Sequence, residues 1–160
     1  VAHALVTDGA APGCIAGEVE AVLVGADRVA ANGDLIAVSG TYPIALAASA
    51  AGVPVIVCAP TSAVDLGLAT GADVVVEQGR PTGLLYAAGT RVAPQGSRIR
   101  APLQEQTPAA LISTIVTEEG VIQPPFGPGL RAHVEAVAAR RAAAPNPFRP
   151  TPTPDLGAAG

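Results

Sequence analysis

The sequence predicts an α/β fold, a Rossmann-like parallel sheet with flanking helices, and three observations point to it. Short runs of Val, Ile, Leu and Ala recur, each closed by Asp, Pro, Glu or Gly, as strands buried on both faces require. Segments of helical length, one of them Ala-rich, lie between these runs. The 160 residues are 49% hydrophobic but only 2% aromatic. The core must therefore be filled by small and β-branched side chains, which suits a sheet covered by Ala-rich helices.

The predicted strands are, in order, "AHALVTD" ending at Asp8, "EAVLVGAD" at Asp27, "VPVIVCAP" at Pro60 and "ADVVVEQ" at Gln78. The segment "GTYPIALAASAAG", Gly40 to Gly52, predicts a helix that Gly52 ends in the C′ position. "TPAALISTIVTEEG", Thr107 to Gly120, predicts another, with Thr107 as N-cap, Pro108 in the first helical position and Gly120 at its end. "LRAHVEAVAARRAA" is amphipathic, with Leu130, Val134 and Val137 on one face and Arg131, Glu135 and Arg141 elsewhere. The remainder of the chain is Pro-rich and aperiodic. The organisation expected is one Rossmann-like domain over residues 1–143, cut short at its amino terminus, and a disordered tail over 144–160. The chain contains no Met, which favours a piece of a longer polypeptide.

Composition narrows the function. The formal net charge is −4 and all nine basic residues are Arg. No basic cluster exceeds Arg140-Arg141, so a nucleic-acid surface is not expected. Phosphate recognition must come from Arg, backbone N–H groups or helix N-termini. Two cysteines without C-x-x-C or His spacing fit a reduced, cytoplasmic protein. The apolar runs are broken well short of a membrane span, and no basic segment precedes an apolar one as in a signal peptide.

The stretch "VLVGADRVAANGDL" concentrates polar side chains behind a strand. Ligands of open parallel sheets bind outside the carboxyl ends of strands, which is where Asp27 falls; Asp8 holds the corresponding place after the first run. A carboxyl there can serve as a proton donor if its surroundings raise its pKa. The plainer alternative is that Asp and Asn after a strand cap the loop, and Asn32-Gly33 is a turn signal in its own right. Cys58, inside an apolar run, fits an inert core residue better than a nucleophile. Cys14 lies in a Gly/Pro-rich loop without a neighbouring His. His3 and His133 are too far apart and too lightly accompanied to suggest a metal site. Thr61-Ser62 fits helix capping better than anion binding.

Taken in order, "GADRVAANGD", "GTY..ALAASAAGVPVIVCAPTSAVDL", "VAPQG" and "TPAALISTIVTEEGVIQP" resemble the carboxyl-terminal half of the methylthioribose-1-phosphate isomerase family. That family is related to the ribose-1,5-bisphosphate isomerases and to the regulatory subunits of the translation-initiation exchange factor. The resemblance covers roughly Val1 to Pro124. It implies a Rossmann-like domain, and conversion of a sugar 1-phosphate to the ketose 1-phosphate in methionine salvage. The partners it implies are the sugar phosphate and a second copy in a homodimer; it implies no metal and no nicotinamide. It assigns the role of acid to Asp27, in a reaction where the sugar ring must open before a hydrogen moves between C1 and C2.

Departures from the family pattern are equally specific. Family enzymes pair the aspartate with a cysteine well upstream, which neither Cys14 nor Cys58 matches. They also have an amino-terminal helical domain with a sugar-phosphate loop. The chain by itself is accordingly expected to be inactive. The family's Gly-Asp-x-x-Asn-Lys-x-Gly-Thr becomes "GDLIAVSGT", placing Ala37 and Val38 where a substrate-holding Asn-Lys pair stands. Its Asn-Pro-Ala-Phe-Asp segment becomes "APLQE", Ala101 to Glu105. An alternative to the enzyme is thus a non-catalytic relative that binds a phosphorylated ligand or a protein. Arg28 is a possible substitute for the lost Lys, or a member of a structural ion pair.

Overall fold

The computed structural model describes residues 2–80 and 82–144. Its elements are α1 (Ala11–Glu18), β1 (Val22–Val24), β2 (Arg28–Ala30), β3 (Leu35–Val38), α2 (Thr41–Ala51), β4 (Val55–Cys58) and β5 (Val64–Asp65). Next in the chain come α3 (Thr82–Leu85), β6 (Tyr86–Ala87), β7 (Thr90–Arg91), β8 (Gln104–Thr107), β9 (Thr114–Thr117), β10 (Gly120–Ile122) and α4 (Phe126–Ala143). The fold is mixed α/β, with two sheets rather than one. The first has strand order β1-β4-β9-β10, in which β1, β4 and β9 run parallel and β10 is antiparallel to β9. The second has order β5-β2-β3-β8, with only the β2–β5 pair parallel. β6 and β7 form a separate hairpin.

The parallel strands follow from the predicted pattern. Val55 and Val57 of β4 are buried, between β1 on one side and β9 on the other. α2 forms as predicted, and Gly52 ends it at φ 70, with its N–H on the carbonyls of Ala48 and Ser49. Ala45 and Ala48 are fully buried on α2, which packs against β1 and β4. Their small side chains let the helix lie close to the sheet. α4 starts before the amphipathic segment, at Phe126, and buries Phe126, Leu130 and Val137. Complete burial of a side chain such as Leu130 is worth roughly 1.5–3 kcal/mol. Among the described residues no helix is long and apolar enough to cross a membrane.

Three predicted elements are corrected. Residues 2–7 are irregular rather than a strand and enter a turn over 8–10. Leu5 is 97% exposed there; an apolar run becomes a strand only where a neighbour takes up its N–H and C=O groups. "ADVVVEQ" likewise forms a single 3-10 turn, Gly71–Asp73, and then irregular chain joined to Pro102 through a bridge at Gln78. The predicted helix over Thr107 to Gly120 is a 3-10 turn, Ala109–Leu111, succeeded by β9 and the start of β10. Its Thr-Pro start signal is compatible with either turn, and tertiary pairing decides. Ile115 is fully buried, opposite Val57 of β4 and Ile122 of β10, a setting that favours β-branched residues in a strand. The proposed tail lies outside the described residues from position 145 onward.

The β2–β3 turn carries the Asn-Gly signal. Gly33 has φ +93, and a Cβ built on it would stand 2.6 Å from the Phe126 ring and 2.9 Å from Phe126 Cβ. Gly33→Ala is therefore expected to destabilise the domain by about 1–3 kcal/mol, through both left-handed strain and displacement of a buried aromatic. Thermal unfolding that matches the unsubstituted chain would contradict this.

Candidate active site

β1 ends at Val24, and Gly25-Ala26-Asp27 carry the chain from the first sheet into the second. The Asp27 N–H donates to the Ile36 carbonyl at 2.9 Å, which fixes the backbone of this crossing against β3. The side chain is exposed, and its Oδ2 accepts a 2.7 Å hydrogen bond from Gln104 Nε2 of β8. Asp27 stands between three adjoining cavities. One, of about 500 Å³, is lined by Asp27, Arg28, Asp73, Glu77 and Gln104 among others. A second, of about 390 Å³, includes Asp27, Ala37, Val38, Thr41 and Cys58. A third, of about 440 Å³, lies toward Ser62 and Asp65.

The surroundings of the predicted positions differ from one to the next. Val38 is 64% exposed whereas Ala37 is buried, so of the two positions Val38 offers the accessible side chain. Arg28 pairs with Asp65 at 3.7 Å, both half-exposed. Cys58 is exposed at the end of β4: alternation along the strand turns Val55 and Val57 inward and Cys58 outward, against its expected place in the core. Cys14 belongs to α1 rather than to a loop. Asp8 succeeds no strand; it sits in the turn before α1, beside Gly40. His133 shares a 2.8 Å hydrogen bond with Thr117. Thr61 opens a 3-10 turn, and its N–H donates to Glu118 Oε2 at 2.8 Å while its hydroxyl donates to Oε1. The hydroxyl first and then the N–H hold the Glu118 carboxyl below its usual range. Thr61 thus binds an anion supplied by the chain itself.

Two carboxylates that sequence reasoning left unassigned are structural. Glu105 Oε1 accepts from the N–H groups of Gly40 at 2.6 Å and Tyr42 at 2.8 Å. It satisfies donors at the start of α2 and complements the helix dipole. Asp34 is buried; its Oδ2 accepts from Gly71 N–H at 3.0 Å and Gln106 Nε2 at 3.1 Å, and its Oδ1 from Ala109 N–H at 2.8 Å. Burial acts to raise the Asp34 pKa, but hydrogen bonding with Asn32, Ala109, Gly71 and Gln106 outweighs it and lowers the value. The motif therefore divides into an exposed aspartate facing cavities and a buried one that joins the second sheet to two turns.

Fold and site together define a mixed α/β domain with a polar opening at the carboxyl ends of parallel strands. The chain belongs to the initiation factor 2 subunit family, whose model matches residues 1–124. It is 48% identical over 113 residues to methylthioribose-1-phosphate isomerase of Desulforudis audaxviator, covering 71% of this chain and 32% of that protein. To the isomerase of the same name from Chloroflexus aurantiacus it is 43% identical over 115 residues, covering 72% and 33%. Among solved structures, 5-methylthioribose 1-phosphate isomerase from Pyrococcus horikoshii aligns with TM-score 0.76 at 36% identity, over 82% of this chain and 37% of that one. The delta subunit of translation initiation factor eIF-2B from A. fulgidus aligns with TM-score 0.75 at 28% identity, over 81% and 38%. The chain thus spans about a third of the length of the curated relatives it matches.

Proposed function

We propose that this domain is the carboxyl-terminal part of an aldose–ketose isomerase acting on a sugar 1-phosphate of the methylthioribose 1-phosphate type. Asp27 is its acid. The observation that carries this reading is the position of the Asp27 carboxylate: at the carboxyl end of β1, exposed, and bordering cavities large enough for a pentose phosphate. Names of relatives at 43–48% identity support the same reaction class. In the reaction, Asp27 gives its proton to the ring oxygen as the sugar opens, and the C2 hydrogen passes with its electron pair to C1. The C2 hydroxyl proton, released as the C2 carbonyl forms, returns to the Asp27 carboxylate.

A second reading, a binding module without catalysis, is favoured by one feature. Val38 presents an isopropyl group to the cavity beside Asp27, where the family resemblance places a lysine. Charge-assisted hydrogen bonds are worth roughly 1.5–3 kcal/mol each. Val38→Lys is therefore expected to tighten binding of methylthioribose 1-phosphate by about tenfold or more, measured by titration calorimetry. Unchanged affinity would mean that this position does not reach the phosphate. The two readings separate by phosphorus NMR of the sugar incubated with a longer polypeptide carrying this domain. Conversion to the ketose phosphate supports the isomerase, while saturable binding without conversion supports the module.

A further inference from the structure

We propose that Gln104 is the positioning residue for Asp27, holding its carboxyl in the orientation that acid catalysis needs. This rests on the acid role given to Asp27 above. β8 reads Gln-Glu-Gln-Thr, and its register places Gln104 opposite Val38, Glu105 opposite Ala37 and Gln106 opposite Ile36. Successive strand side chains point to opposite faces, so the two glutamines share a face and Glu105 takes the other. Each glutamine reaches one aspartate of the GAD–NGD stretch: Gln104 to Asp27 at 2.7 Å and Gln106 to Asp34 at 3.1 Å.

Equal donors meet unequal surroundings. Asp34 is buried and also takes two backbone N–H groups, so Gln106 serves the fold. Asp27 is exposed and borders a cavity that Gln104 also lines. A short exposed side chain samples several staggered rotamers, yet an acid must sit within hydrogen-bond reach of the atom it protonates. The Gln104 amide restricts Asp27 by engaging Oδ2, which leaves Oδ1 to carry the proton toward the substrate. An amide does not titrate, so the same contact holds the carboxyl before and after proton transfer.

Asp27 χ1 couplings, measured by NMR on the chain, test this in Gln104→Leu, in the isosteric donor-free Gln104→Glu, and in Gln106→Leu. One dominant Asp27 rotamer is expected in the unsubstituted chain and in Gln106→Leu, and rotamer averaging in both Gln104 variants. In a longer polypeptide that turns over the sugar, Gln104→Leu should lower kcat by about tenfold or more with KM within about twofold, the signature of a misplaced catalytic group. An unchanged Asp27 rotamer in the Gln104 variants overturns the proposal. So does full kcat in Gln104→Leu where Asp27→Asn is inactive, an outcome that leaves the acid role standing. Turnover that survives Asp27→Asn removes the acid role itself, and with it the purpose assigned to Gln104.

Discussion

Asp27→Asn is expected to reduce turnover by on the order of a hundred- to ten-thousand-fold, the range that a positioned general acid contributes, in a longer polypeptide carrying this domain. Folding is expected to survive. The side chain at this position is exposed, and the carbonyl oxygen of the substituted amide can still accept the Gln104 amide hydrogen. The backbone tie from position 27 to Ile36 does not depend on the side chain. Activity loss with an unchanged melting temperature would therefore separate chemistry from stability. Arg28 provides the comparison. Its 3.7 Å contact with Asp65 is between half-exposed groups, and exposed pairs contribute roughly 0–1 kcal/mol. A loss of turnover in Arg28→Ala as large as in Asp27→Asn would show that the charge balance of the cavity, rather than a proton held by Asp27, drives the reaction.

The sequence exposed the parts of this fold whose signals are local. β1 and β4 are apolar runs, and α2 ends at a glycine in the left-handed region as its C′ pattern required. The motif bearing Asp27 was visible because four polar side chains come after a strand in a chain with few charges. The features that escaped are non-local. β9 was hidden behind a Thr-Pro helix signal, and only pairing with β4 and β10 makes it a strand. β8 is wholly polar and gave no strand signal, because the side chains of Gln104, Glu105 and Gln106 bond to residues far away in sequence; Gln104 and Asp27 are 77 positions apart. Cys58 was misplaced for a related reason. An apolar run shows that a strand is buried, but its final residue can already face the solvent at the strand's carboxyl end. Asp34 lies in the same polar stretch as Asp27, and only its three-dimensional partners separate its role from that of Asp27.

Asp34→Ala is expected to cost about 3–5 kcal/mol of stability, enough to unfold a domain of marginal stability. The carboxylate is buried and accepts from three donors: Gly71 N–H, Ala109 N–H and Gln106 Nε2. Removing it strands those donors, and each unsatisfied buried group costs roughly 1–3 kcal/mol. The contacts tie β3 to the 3-10 turn at Gly71 and to the turn that leads from β8 into β9. Losing them loosens the second sheet, on which Asp27 and Gln104 both depend. The pH dependence has a definite sign. The Asp34 pKa is lowered from its ordinary value of 3.8, so the folded state binds the Asp34 proton less readily than the unfolded state. Its contribution is fully present above the unfolded value, and is lost as pH falls below 3.8 and through the lower folded value. Chemical denaturation of the unsubstituted chain from about pH 7 to about pH 2 should show that loss. Asp34→Ala should be less stable at neutral pH, with a shallower decline in acid. Parallel curves for the two proteins would mean that Asp34 does not couple folding to protons.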